Sequence, residues 1–234
     1  MHVSANTGMR VHTIAIISQK GGAGKTTLAI HLAAAAAASG LEAIVLDADP
    51  QATASSWSHW RELAGIGAPE VIDCGSPALL SRKLSGAAEL GAEVAIIDTP
   101  PHADIMAREA GKAAELILIP CRPQAFDLDA IKMTAELAKA SGKPTFVIWV
   151  GGPPRAPVTY REAGELVERL GLPVAPAMLT QRAIYHHSTG AGKVAAEIEP
   201  EGKAAAEAES VWTWARSQVG VHTRKRTAKG RAAA

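Results

Sequence analysis

Short, nearly continuous apolar runs recur along this chain, and longer stretches of helical character separate them. Runs of strand length fall at residues 13–18, 43–46, 94–97, 116–119 and 145–150, with weaker ones at 70–72 and 173–175. Continuous apolar runs, unlike alternating ones, predict strands covered on both faces. The intervening patterns predict helices over residues 26–39, 52–63, 77–90, 103–113, 127–140, 159–170 and 199–219. Gly40, Gly142 and Gly171 follow three of these, where a left-handed closing residue is expected. Strand–helix alternation implies an α/β fold, a doubly wound, mainly parallel sheet with helices on both faces. Such sheets bind ligands beyond the carboxyl ends of their strands, so the chemistry belongs there.

The first apolar run leads into Lys20-Gly21-Gly22-Ala23-Gly24-Lys25-Thr26-Thr27. This segment partly fits the phosphate-cradling template G-x-x-x-x-G-K-[ST], which makes the fold a P-loop NTPase fold. Glycines let successive backbone N–H groups turn toward phosphate oxygens, and the helix that follows adds partial positive charge. On the template, Lys25 reaches the β/γ-phosphates and the Thr26 hydroxyl binds Mg²⁺. Gln19 stands where the template has its first glycine, and an extra lysine, Lys20, follows it. A lysine at the loop entrance curls poorly onto its own nucleotide but can reach one held by a partner subunit.

The K-G-G-x-G-K-T-T string resembles the deviant Walker A ATPases, the family of ParA, MinD and the nitrogenase iron protein. The resemblance runs from about residue 11 to 219 and implies an ATPase that uses ATP and Mg²⁺ and forms a homodimer on ATP. It gives Lys20, Lys25 and Asp49 catalytic roles, and residues 20–27 the nucleotide. Asp49 lies in Asp47-Ala48-Asp49-Pro50-Gln51, similar to the D-x-D-P-Q of ParA proteins, where this aspartate positions the attacking water and helps hold Mg²⁺. The apolar strand before Asp98-Thr99-Pro100-Pro101 has the shape of a Walker B motif, so Asp98 joins Thr26 and Asp49 as a metal residue. Residues 99–104 are expected to sense the γ-phosphate. Many relatives carry an adenine-contacting Asn after a later strand, yet Trp149-Val150-Gly151-Gly152 has none. Residues 179–183 also resemble the family, near the base and the dimer edge, although Arg182 reads equally as a solvated surface charge.

A chain of 234 residues is long enough for one such domain, residues 11–221, between a polar N-terminus, 1–10, and a basic tail, 222–234. The formal charge is +1, but Arg224, Lys225, Arg226, Lys229 and Arg231 are concentrated in that tail; the other 19 basic residues face 23 acidic ones. Such a partition is suited to DNA phosphates. Cys74 and Cys121 show no framework spacing, and no signal-peptide core precedes residue 11, which predicts a cytoplasmic protein. His186-His187 has the wrong spacing for a metal site on one helical face, while Trp57 and Trp60 read as core packing.

Among functions of this family, the resemblance points first to DNA partition. An ATP-bound dimer would bind DNA without sequence preference, at the nucleoid, until a centromere-binding ParB-type adaptor stimulates hydrolysis. The short N-terminus resembles the small subgroup without a helix-turn-helix domain. The alternative is an orphan relative that positions a chemosensory, secretion or cellulose synthase complex. A MinD-like membrane cycle is disfavoured, because no Leu, Ile, Phe, Trp or Val follows Thr223. The cysteine context of the iron protein is missing after Asp98, which argues against a cluster.

Overall fold

A computed structural model describes residues 10–102 and 104–221. Seven parallel strands form its sheet: β1 His12–Ile16, β2 Ala43–Asp47, β3 Glu70–Asp73, β4 Val94–Asp98, β5 Leu116–Cys121, β6 Thr145–Gly152 and β7 Leu179–Thr180. Their order is β3-β2-β4-β1-β5-β6-β7, which meets the expectation of a doubly wound parallel sheet. All five strong apolar runs and the run at 70–72 lie within or overlap these strands. Residues 173–175 form no strand; they contribute one isolated bridge, Val174 to Val147, and the last strand comes four residues later. Two-residue β7 is too short for an apolar run to announce it.

Nine α-helices complete the described fold: α1 Lys25–Ala38, α2 Thr53–Leu63, α3 Leu80–Glu89, α4 Asp104–Ala113, α5 Ala125–Lys139, α6 Pro157–Arg169, α7 Ala183–Gly190, α8 Ala195–Ile198 and α9 Lys203–Gln218. The predicted helix at 77–90 is a 3₁₀ turn, Pro77–Leu79, running into α3. Ala103, assigned to the next helix, lies outside the described residues, as does the basic tail. Helices α7 and α8 had no separate prediction. Their apolar positions are few, and Gly190 and Pro200 interrupt the pattern.

Apolar side chains alternate between the two faces of the sheet. Ile14, Ile16, Val45 and Ile96 face a core with α1, α2 and α9, where Trp57 and Trp212 are fully buried. Ala15, Ile17, Leu46 and Ile97 face the other core, with α3, α4, α5 and α6. Of the two tryptophans expected in the core, only Trp57 is there; Trp60 is 43% exposed. Alanine-rich α1 packs closely on the sheet, with Ala29, Ala33 and Ala36 fully buried. Helix propensity and the small-residue face therefore act together.

Helix α1 begins at a tight junction. Gly24 has φ +89°, and a Cβ there would stand 2.5 Å from Val150 Cγ1 at the end of β6. Gly24→Ala is expected to cost on the order of 2–3 kcal/mol, combining backbone strain and a clash. A fall in the urea midpoint at unchanged slope checks this.

Candidate nucleotide site

Parallel pairing brings the key acids together. Asp98 lies opposite Ile16 of β1 and Asp47 of β2, so the strand ends share one edge beside the phosphate loop. The Thr26 hydroxyl, at the start of α1, donates to Asp98 Oδ2 at 2.6 Å. Asp98 is 1% exposed, and its second oxygen, Oδ1, is buried with no hydrogen-bond partner. Burial pushes its pKa up to about 7; the Thr26 hydrogen bond and Lys25 oppose this rise, while Asp47 and Asp49 add to it.

Lys25 is buried, and its ammonium donates to the carbonyls of Ser18 and Lys20, both at 3.2 Å. It thereby spans the loop from end to end. Burial lowers its pKa, and the nearby carboxylates of Asp98 and Asp49 work against that shift. Asp49 accepts the backbone N–H of Gln51 at 2.9 Å, as a turn aspartate does, yet it also lines the cavity above the loop. Asp47 is spent on structure: its Oδ2 takes both the N–H and the hydroxyl of Ser55, each at 2.8 Å, and so anchors α2.

The cavity measures ≈ 500 Å³ and runs from residues 21–27 past Asp49 and Pro101 to Val150, Gly151 and residues 179–182. Lys20 is not part of its wall. Its ammonium instead pairs with Asp127 Oδ2 at 2.6 Å, on the first turn of α5, and the side chain stays 33% exposed. Gln19, in place of the template glycine, donates its side-chain amide to Asp104 Oδ1 at 2.9 Å. The structure thus brings Gly21 to Thr27 and Asp49 to one cavity, sets Asp98 behind Thr26, and holds Lys20 outside.

Some participants had no role assigned from the sequence. Arg122 follows β5 and donates from Nη2 to the Gly22 carbonyl at 3.1 Å, gripping the phosphate loop. Its position just past a strand was the available signal. Asp127 marked only a helix start, and nothing in the sequence paired it with Lys20. Arg182 is not a free surface charge, since it pairs with Glu207 at 2.6 Å. His186 and His187 are both exposed on α7.

A family model described as the CobQ/CobB/MinD/ParA nucleotide binding domain matches residues 14–187. The chain belongs to the ParA/MinD family of nucleotide-binding ATPases. It is 33% identical over 199 residues to "Maintenance of carboxysome distribution protein A" of Gloeobacter kilaueensis, covering 84% of this chain and 88% of that protein. With "Chromosome-partitioning ATPase Soj" of Thermus thermophilus it shares 27% identity over 150 residues, 52% of this chain and 59% of the other. Its fold matches the septum site-determining protein MinD complexed with Mg-ADP from Pyrococcus horikoshii at a TM-score of 0.70 and 19% identity, covering 87% and 95% of the two chains.

The cofactors of this ParA/MinD-type ATPase are ATP and Mg²⁺, and the residues present fit the metal. A buried carboxylate with one unsatisfied oxygen beside a phosphate-loop hydroxyl suits an ion that keeps several waters and takes few protein ligands. When bound, Mg²⁺ offsets phosphate charge. Among the described residues no cluster of three or more His, Cys, Asp or Glu forms a denser metal site.

The raised pKa of Asp98 has a calculable sign. Its folded value, about 7, exceeds the ordinary carboxylate value of 3.8, so ionisation costs stability progressively between those two pH values and fully above them. Ligand-free Asp98→Asn is therefore expected to melt higher than the parent at pH 8, by on the order of 5 °C, with the gap closing toward pH 4. The same variant should lose Mg²⁺-dependent hydrolysis. Thermal melts across pH and phosphate release check both parts.

Proposed function

We propose that this chain is an ATP-switched positioning ATPase. Two copies close on ATP, the closed dimer binds DNA without sequence preference, and an adaptor protein triggers hydrolysis and release. The observation that carries this reading is Lys20. It stands outside the cavity, a third exposed, and is steadied by Asp127. An ammonium so placed serves a nucleotide in the facing subunit better than its own. Within each subunit, residues 21–27 hold the phosphates, with Lys25 neutralising their charge. Thr26, Asp49 and Asp98 hold the Mg²⁺ and its waters, and Asp49 aims the attacking water. Phosphoryl transfer needs little beyond such positioning and charge neutralisation.

The domain proper is residues 11–221, and the tail at 222–234 supplies DNA contacts through Arg224, Lys225, Arg226, Lys229 and Arg231. Two tails bring up to ten basic residues to one duplex, which offers one reason for ATP to switch DNA binding on. Among the described residues no helix is long and apolar enough to cross a membrane. The working location is the cytoplasmic nucleoid.

Similarity along most of both chains to a carboxysome distribution protein favours a protein-bounded body as cargo over a plasmid or chromosome. The adaptor is then a protein on that body. The match to Soj keeps the second reading, DNA partition with a ParB-type centromere-binding adaptor. Deleting the gene separates the two: misplaced bodies with faithful DNA inheritance support the first, and lost inheritance supports the second.

Lys20→Ala should retain much of its ATP affinity but lose hydrolysis and the ATP dimer. Turnover and light scattering measured together check this, and unchanged turnover would reduce Lys20 to a structural role. The full chain with ATP should bind two unrelated duplexes equally. With about six phosphate contacts, its affinity should fall on the order of a thousandfold between 50 and 200 mM salt. A chain ending at Val221 should show a shallower salt slope, and equal affinity with ADP would refute the switch.

A further inference from the structure

One carboxylate ties the C-terminal helix to the far end of the nucleotide cavity. Glu207, on α9, accepts the Thr180 backbone N–H at 3.0 Å and the Thr180 hydroxyl at 2.8 Å. It also accepts Arg182 Nε at 3.0 Å, Arg182 Nη2 at 2.6 Å and the Tyr185 hydroxyl at 2.9 Å. Thr180, Arg182 and Tyr185 all line the cavity. Glu207 does not line it; its side chain is 17% exposed and sits behind them. Burial alone would raise its pKa, but the hydrogen bonds from Arg182, Thr180 and Tyr185 outweigh that and keep it ionised. Charge-assisted bonds of this kind are the stronger class.

Sheet order decides which part of a ligand meets this cluster. Asp98 and Asp49 stand on the β4 and β2 side of β1, where the metal and the terminal phosphate are drawn. The sugar and base then extend the other way, past β5 and β6 toward β7. Three inter-strand steps separate β7 from β1, about 14 Å. Over β6 the wall is Val150 and Gly151, which offer no polar side chain. Beyond β6 the polar side chains of the wall are those of Thr180, Gln181, Arg182, Tyr185 and His186, and the first three lie in or just after β7, a strand of only two residues. A strand that short does not hold its own geometry, and Glu207 supplies the missing restraint.

We infer that Glu207 is a positioning residue for the nucleoside half of ATP: it fixes Thr180, Arg182 and Tyr185 as the wall that receives sugar and base, without touching the phosphates. The inference rests on the assignment of this cavity to ATP. It makes nucleoside affinity a property of the C-terminal helix, separable from the phosphate loop.

Calorimetry on the full chain with Mg²⁺, using ATP and inorganic tripolyphosphate as separate ligands, tests it. Glu207→Gln keeps the shape but removes the charge. It should weaken ATP binding about tenfold, the loss of one charge-assisted hydrogen bond, and leave tripolyphosphate within about twofold. Arg182→Lys, which keeps the positive charge but loses the fork, should shift the same ratio in the same direction and stands in should Glu207→Gln fail to fold. Equal weakening of both ligands would mean that Glu207 only staples α9 to the sheet. Unchanged ATP affinity in the folded variants would overturn the inference as well. Lys25→Ala serves as the control: if it loses both ligands while Glu207→Gln changes neither, the cavity assignment stands and the role of Glu207 alone fails. If Lys25→Ala keeps both ligands at parent affinity, the cavity assignment fails too, and the inference with it.

Discussion

The contact between Thr26 and Asp98 is the constraint on which this molecule turns. A carboxylate at the end of a central strand is withdrawn from water and left with one oxygen unpaired. The sheet makes this unavoidable, because parallel pairing of β1, β2 and β4 sets Asp47 and Asp98 side by side. All three local acids have protein partners: Ser55 for Asp47, its own turn for Asp49 and Thr26 for one oxygen of Asp98. The second oxygen of Asp98 keeps an unmet demand, and Lys25 is the nearby cation that offsets it in part. A fold that concentrates charge in this way is less stable without its ligand than its packing would allow, a familiar exchange of stability for function.

Helix α1 transmits that arrangement into the body of the protein. Its first turn holds Lys25 and Thr26, and one turn on His31 is 2% exposed. The ring bonds the Thr27 carbonyl through Nδ1 at 2.8 Å and accepts the Ala195 N–H through Nε2 at 3.2 Å. Burial holds its pKa down near 4, so it stays neutral and the two bonds define one tautomer. Arg61 of α2 makes a parallel tie to the same region, pairing with Glu197 at 2.6 Å. The loop that cradles phosphate is therefore braced through two helices against α8, and the opposite end of the cavity is braced against α9. Both ends lean on the C-terminal third of the chain.

Much of this was legible in the linear sequence because its signals are local. A continuous apolar run reports burial on both faces without reference to any neighbour, so the central strands and the parallel sheet followed from the pattern. Gly24, Lys25 and Thr26 could be read because spacing within one loop is itself the chemistry. The run at 173–175 misled, since Val174 makes a single bridge and the edge strand is too short to show a period. Trp60 misled as well; a helical spacing of three from Trp57 does not decide which residue faces the core.

The sequence by itself determined the order of β1 to β6 and the helices between them, the phosphate loop and the acids that could serve it, because each depends on residues adjacent in the chain. Only the tertiary structure decided the partners. Lys20 meets Asp127, Arg122 meets Gly22, Asp98 meets Thr26 and Glu207 meets Arg182 across long separations. Those pairings arise from strand order, which places β1 between β4 and β5 and carries β7 to the edge. Strand order is set by how two apolar faces are buried together, and no local pattern encodes that.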